Sequence, residues 1–198
     1  YVMSVNARST IQSMQDLVQL ARKDPGKLNY ASAGIGSGQH MYVELMRSAA
    51  GIQIQHIPYK GGGPALADLV AGQVQMYLVP PPGVLAFVKA GKLRAIATTG
   101  TARVSALPDV PTMAEQGVKD YDVSLWMAYV APAKTPDLIT GKLNAAMTEI
   151  LKEPDILESM QKQSFEPEPG PADGVTTRIK SEIERWRTLI AKTGIKAE

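Results

Sequence analysis

The sequence contains no cysteine in its 198 residues. That removes disulfides, thiolate zinc sites and thiol nucleophiles together, and leaves the compartment unspecified. Histidine, the usual general base, occurs only twice, as His40 and His56, so the catalytic inventory is thin. An excess of one charge is also missing. With 21 Lys plus Arg against 19 Asp plus Glu, bulk electrostatics gives no basis for nucleic-acid binding. No apolar run approaches the ~20 residues of a membrane-spanning helix. The longest, Leu78 to Val88, is broken by Pro80, Pro81, Pro82 and Gly83. The chain is not expected to be membrane-embedded.

What is present is the composition of an ordinary globular protein, 44% apolar and 20% charged. At this length a chain buries roughly 70% of its unfolded surface, enough for one large domain or two small ones. The opening Tyr1-Val2-Met3-Ser4-Val5 reads as a strand already under way, with no initiator Met or signal segment before it. An N-terminal portion preceding Tyr1 is therefore expected.

Further along, Ser13-Met14-Gln15-Asp16 has the form of a capping box, which predicts a helix from Met14 that Asp24-Pro25-Gly26 ends. Leu28 to Ser32 is a strand candidate, followed by the loop Ala33-Gly34-Ile35-Gly36-Ser37-Gly38. A helix then shows its apolar stripe at Met41, Leu45, Met46 and Ala49. The pattern repeats: Ile52 to Pro58 is strand-like, Tyr59-Lys60-Gly61-Gly62-Gly63 is a second glycine loop, and Pro64 suits the first turn of another helix. Gln73 to Val79 and Leu93 to Thr98 add two strands around a helix ended by Gly91. This alternation predicts an α/β fold with a mainly parallel sheet and flanking helices, whose ligands gather at the carboxyl ends of the strands.

Leu107-Pro108-Asp109-Val110-Pro111 reads as a connector into a short helix ending near Gly117, and Val123 to Val130 as one more strand. From Pro132 onward the composition turns helical. One helix opens at Thr135-Pro136, another at Pro154, and a last one holds Ile179, Ile183, Trp186 and Ile190. At most one short strand is expected there, near Ser164 to Glu166. A domain boundary falls at about Tyr121, because a nearly strand-free segment cannot extend the sheet. The predicted units are 1–120 and 121–198.

Elimination narrows the chemistry. Ser37 lacks a nucleophile elbow, since Ile35 and Gln39 stand where glycines are required. Gly34-x-Gly36 opens like a dinucleotide fingerprint but has Gln39 at the third glycine, and no Walker sequence exists. His40 and Glu44 share a helical face as metal ligands do, yet third and fourth ligands are not apparent, and no cofactor is expected. His56 alternates with Ile54 and Ile57 and reads as structural. The two glycine loops survive. Each precedes a helix N-terminus, where unpaired amides and the positive helix end favour an anion, and Ser37 or Lys60 adds a hydrogen bond or a charge. Glycine placed only for tight turns would give the same pattern.

Four ordered strings carry a resemblance: Lys27-Leu28-Asn29-Tyr30-Ala31-Ser32-Ala33-Gly34; Ile57-Pro58-Tyr59-Lys60-Gly61-Gly62 through Asp68-Leu69; Lys89-Ala90-Gly91-Lys92-Leu93-Arg94; and Leu107-Pro108-Asp109-Val110-Pro111-Thr112. Together they resemble the periplasmic substrate-binding component of tripartite tricarboxylate transporters, the Bug-type receptors, over essentially the whole chain. The resemblance implies a two-lobed, periplasmic-binding-protein-like (type II) receptor that closes on a small organic carboxylate and delivers it to membrane permease subunits. It implies a binding component and not an enzyme, located in the periplasm. Residues 1–120 would be the second lobe and 121–198 the C-terminal share of the first. About a hundred residues that the family carries ahead of the present Tyr1, with the rest of lobe one, are absent from this chain. An apolar surface left by that absence would invite self-association.

By the same resemblance the ligand-binding residues are Ser32, Gly34, Gly36, Ser37, His40, Tyr59, Lys60, Gly61, Gly62 and Val79. Val79-Pro80 replaces an Asp-Asn pair found in many members, which points to a carboxylate without an amino group. Two other readings share the scaffold: an enzyme with His40 as base, and a sensor that presents its closed form to a signalling partner.

Overall fold

A computed structural model describes residues 1–195. Its first helix, α1 (Met14–Lys23), starts where the capping box predicts. The Ser13 hydroxyl accepts from the Asp16 amide at 3.1 Å, but the Asp16 carboxylate reaches one residue further back, accepting from the Gln12 amide at 2.9 Å. The Gln12 amide, and after it the Ser13 hydroxyl, hold the Asp16 carboxyl below its ordinary range. Ser13→Ala should therefore cost about 1 kcal/mol, read as a lower urea midpoint at unchanged slope. An unchanged midpoint would show the cap to be idle.

Strand β1 (Val2–Asn6) precedes α1, and four strands follow it: β2 (Asn29–Ser32), β3 (Gln55–Pro58), β4 (Met76–Val79) and β5 (Leu93–Thr98). Between them run α2 (Gly38–Ala50), α3 (Gly62–Ala71) and α4 (Pro81–Lys89). The sheet order is β3-β2-β4-β1-β5. β2 is parallel to β3 and β4, while β1 lies antiparallel between β4 and β5. Four strands thus share one direction and their carboxyl ends share one edge. Val2, Leu69, Val74, Tyr77, Val84 and Leu93 are among the residues of a buried cluster on one side of this sheet, with Leu66 and Phe87 packed against it.

Beyond β5 the chain departs from two expectations, the strand over 123–130 and the helix before Gly117. No strand forms over residues 123–130. Val123 donates one backbone hydrogen bond to Thr99, and Leu125, Met127 and Tyr129 are exposed, the last two by 69% and 86%. Strand-like composition makes no ladder without a neighbouring edge to pair with. The segment before Gly117 is a set of turns and not a helix, closed by reciprocal bonds between Thr112 and Glu115 that Arg103 braces through its guanidinium. Residues 164–166 form no strand; Ser164 takes a left-handed turn at φ 58°.

Three helices follow, α5 (Asp137–Ile150), α6 (Pro154–Lys162) and α7 (Ala172–Thr193). The chain divides into two compact units, residues 1–125 with the end of α7 from Leu189, and residues 126–188. In the first, Lys192 Nζ donates to Ser48 Oγ at 2.7 Å. In the second, Asn144 donates to the Gly170 carbonyl at 2.9 Å, while Leu138, Ile139, Leu143 and Ile150 of α5 are exposed. Among the described residues no helix is long and apolar enough to cross a membrane.

Candidate functional site

The two glycine loops leave the carboxyl ends of adjacent parallel strands, β2 and β3, and so lie side by side. They are joined by backbone hydrogen bonds, from Tyr59 to the Ser32 carbonyl at 3.0 Å and from Gly61 to the Ala33 carbonyl at 3.2 Å. Their amides are not equally available. Gly36 donates to His40 Nδ1 at 3.1 Å, Ser37 to the Gly34 carbonyl at 3.2 Å, and Gly61 to Ala33. In contrast, Gly62 and Gly63 occupy the first turn of α3, where amides have no intrahelical acceptor, and both residues are exposed. Gly61 is the N-cap and sits at φ 109°, ψ 171°, a region that essentially only glycine enters.

Lys60 is exposed beside them. Ser37 caps α2, its hydroxyl accepting from the His40 amide at 3.4 Å, which leaves its proton to donate. Tyr59 is less available than the sequence suggests: its hydroxyl donates to Asp68 Oδ2 at 2.7 Å, and burial together with that carboxylate pushes it up to about 12. Val79 is not brought to the loop surface. Its side chain is 2% exposed in the core, with Gly83 of α4 close above it: a Cβ at Gly83 would lie 3.3 Å from its Cγ1. An apolar ligand wall therefore cannot be read from Val79.

Ser32, Gly34 and His40 belong to a polar layer beneath the first loop. Ser32 Oγ receives the Gly34 amide at 3.1 Å and lies 3.0 Å from the Gly34 carbonyl and 2.6 Å from His56 Nε2. His56 stacks on His40 with centroids 3.9 Å apart and also on Tyr30 at 4.9 Å. Tyr30 donates to Glu44 Oε1 at 2.6 Å, the same oxygen that Arg47 meets at 2.5 Å. Burial lowers both histidines. His40 is also acted on by Glu44, which opposes the shift, and Arg47, which adds to it; His56, further lowered by the charge of His40, falls to about 4. Burial and Glu44 raise the Tyr30 phenol. Glu44 is thus engaged by Tyr30 and Arg47, and among the described residues no group of three or more metal-ligating side chains gathers.

Sequence reasoning missed Tyr30 and Arg47, and carried Gly63 only as part of the second glycine loop. The spacing His40, Glu44 and Arg47 along α2 was a usable signal, since residues four and seven apart share a helical face.

The profile of a family described as "Tripartite tricarboxylate transporter family receptor" matches residues 1–195. Protein BugT of Bordetella pertussis is 34% identical over 98% of this chain and 60% of its own length. A UPF0065 protein from the tcbD-tcbE intergenic region of Pseudomonas sp. strain P51 is 34% identical over 99% of this chain and 59% of its own. The chain spans about 60% of the length of these curated relatives. Among solved structures, Rpa4515 of R. palustris with adipate superposes with a TM-score of 0.85 at 31% identity, covering 98% of this chain and 65% of that one. MatC of Rhodopseudomonas palustris with bound malate gives 0.80 at 26%, covering 96% and 65%. The periplasmic binding protein BugD gives 0.82 at 29%, covering 100% and 67%. With four strands running to one edge, paired glycine loops on that edge and a family match over nearly every residue, the chain belongs to the tripartite tricarboxylate transporter receptor family.

Proposed function

We propose that this chain forms part of a periplasmic receptor that binds a small organic carboxylate at its paired glycine loops and delivers it to membrane permease subunits. The observation that carries this reading is the pair of amides at Gly62 and Gly63, without an acceptor among the described residues and exposed at the N-terminus of a ten-residue helix that directly follows Lys60 and Gly61. A carboxylate there exchanges water for two preorganised N–H donors, the positive end of α3 and a nearby ammonium. No bond is made or broken, so no general base is needed. The geometry of His40 favours this over the enzyme reading, because its Nδ1 already accepts from Gly36 and the residue is only 6% exposed.

The loops, residues 32–38 and 59–63, contain no carboxylate side chain. An ammonium group bound there would lack an anionic partner, which favours ligands without an α-amino group. Adipate and malate, found with two of the structural relatives, are the natural probes. In this reading residues 1–120 belong to the second lobe and 121–198 to the first, and His40, Ser32 and Gly34 support the site from beneath.

Adipate or malate titrated into the ¹⁵N-labelled chain should move the Gly62 and Gly63 amides saturably, with smaller changes at Ser37. Neither probe moving those amides, while both perturb some other surface, would overturn the assignment.

A further inference from the structure

One assignment of protons beneath the first glycine loop satisfies every contact there. Ser32 Oγ has one proton and two lone pairs to spend on three contacts. All three are satisfied if Ser32 donates to the Gly34 carbonyl and accepts from the Gly34 amide and from a His56 Nε2–H. His40 must likewise carry its proton on Nε2, because its Nδ1 accepts from Gly36. Two neutral, stacked imidazoles therefore hold one loop at two places, at Gly34 through Ser32 and at Gly36 directly.

We propose that the His40–His56 stack is a proton-sensitive latch on the first glycine loop, pinning it while both rings are neutral and releasing it at Gly36 when His40 takes up a proton at Nδ1. Protonation turns that nitrogen from acceptor to donor, so two N–H groups face each other across 3.1 Å and the Gly36 bond is lost. The stack admits one charge: with centroids 3.9 Å apart, a proton on His40 opposes a second on His56. The titratable and charged groups facing the pair are Tyr30 from β2, His56 from β3, and Glu44 and Arg47 from α2. Glu44 alone favours the charged ring, and it is shared between Tyr30 and Arg47.

The direction in pH follows. Burial lowers His40 in the folded chain, so the neutral latch is intact above the ordinary imidazole range near pH 6.5 and is lost as pH falls below it. The idea rests on the reading of this loop as part of the carboxylate site, and makes capture weaken as the surroundings acidify. His40 and His56 act as positioning residues that touch the loop and not the ligand.

The test is made on the ligand-free chain, which separates the latch from the titration of any carboxylate probe. At about pH 7.5, long-range ¹H–¹⁵N spectra should show His40 as the Nε2–H tautomer. On lowering the pH, the Gly36 amide should shift upfield with the same midpoint as the His40 ring, and its hydrogen exchange, corrected for the intrinsic pH dependence, should quicken by about tenfold or more. His40→Phe keeps a ring in the stack but has no acceptor, so Gly36 should be unprotected at every pH with no step. The latch is overturned if Gly36 stays flat through the His40 titration, or if the ring carries its proton on Nδ1. Should the variant fail to fold, the wild-type titration decides alone. Adipate moving the Gly62 and Gly63 amides at neutral pH tests the receptor reading separately, and the two can fail independently.

Discussion

Replacing Glu44 with alanine is expected to lower the stability of the fold by about 3 kcal/mol, more than any single cap or surface pair here contributes. The carboxylate is only 5% exposed, and one oxygen serves both the Tyr30 hydroxyl and the Arg47 guanidinium. Its removal leaves the fully buried Tyr30 with a hydroxyl that has no acceptor. It also leaves Arg47 without its counter-charge, when Nε of that guanidinium already has no partner. The cost is the desolvation of groups that remain behind, which is why it exceeds the net worth of the hydrogen bonds themselves. Glu44→Gln keeps the shape and an acceptor for Tyr30, and should lose roughly half as much. Urea unfolding monitored by circular dichroism measures both. A loss below about 1 kcal/mol for Glu44→Ala would mean that water replaces the carboxylate without strain.

The same residue marks where the sequence stopped being readable. The apolar spacing of α2 pointed to Met41, Leu45, Met46 and Ala49 as its inner face. The helix instead buries His40, Val43, Glu44 and Met46. A polar residue becomes a core residue when its partners are present, and two of those partners, Tyr30 for Glu44 and His56 for His40, lie on β2 and β3, outside the helix whose periodicity is read. Periodicity counts apolar residues and cannot see a hydroxyl waiting for a carboxylate. The cap of α1 was legible for the opposite reason, since every atom of it lies within five residues, Gln12 to Asp16. The antiparallel placement of β1 was not legible: alternation shows that a strand exists and leaves its direction to its neighbours, here β4 and β5. Residues 123–130 failed likewise, having the composition of a strand without an edge to join.

For the site, the strand, glycine loop and helix pattern located both loops. It did not tell which amides are free. Gly36 and Gly61 look equivalent to Gly62 in sequence, yet a local bond to the His40 ring four residues on uses up the first, and a bond across the loops to Ala33 uses up the second. What local pattern supplies is a set of candidate donors, and the pairing of β2 with β3 subtracts from that set. The subtraction leaves Gly62 and Gly63, exposed in the first turn of α3, as the remaining donors of the second loop, while the first loop spends its Gly36 and Ser37 amides on its own bonds.

Carboxylate affinity should accordingly fall by about a hundredfold or more when Gly62 is replaced by valine in the intact receptor. A Cβ at this position would stand 3.2 Å from the Tyr77 hydroxyl, closer than ordinary contact, and Tyr77 is buried in the core and cannot swing away. The strain displaces the first turn of α3, and the two γ-carbons cover the amides of Gly62 and Gly63. Losing two hydrogen bonds to a charged acceptor, at about 1.5–3 kcal/mol each, accounts for the hundredfold and more. Gly62→Ala presents the same Cβ without the branches, and should lose less, which separates crowding by Tyr77 from masking of the amides. Isothermal calorimetry with adipate and malate reads the affinities, and thermal melting checks that both variants remain folded. Gly62→Val binding either probe as tightly as the unmodified receptor would place the carboxylate elsewhere, because no anion reaches those two amides past a valine side chain without paying in contacts what it gains in charge.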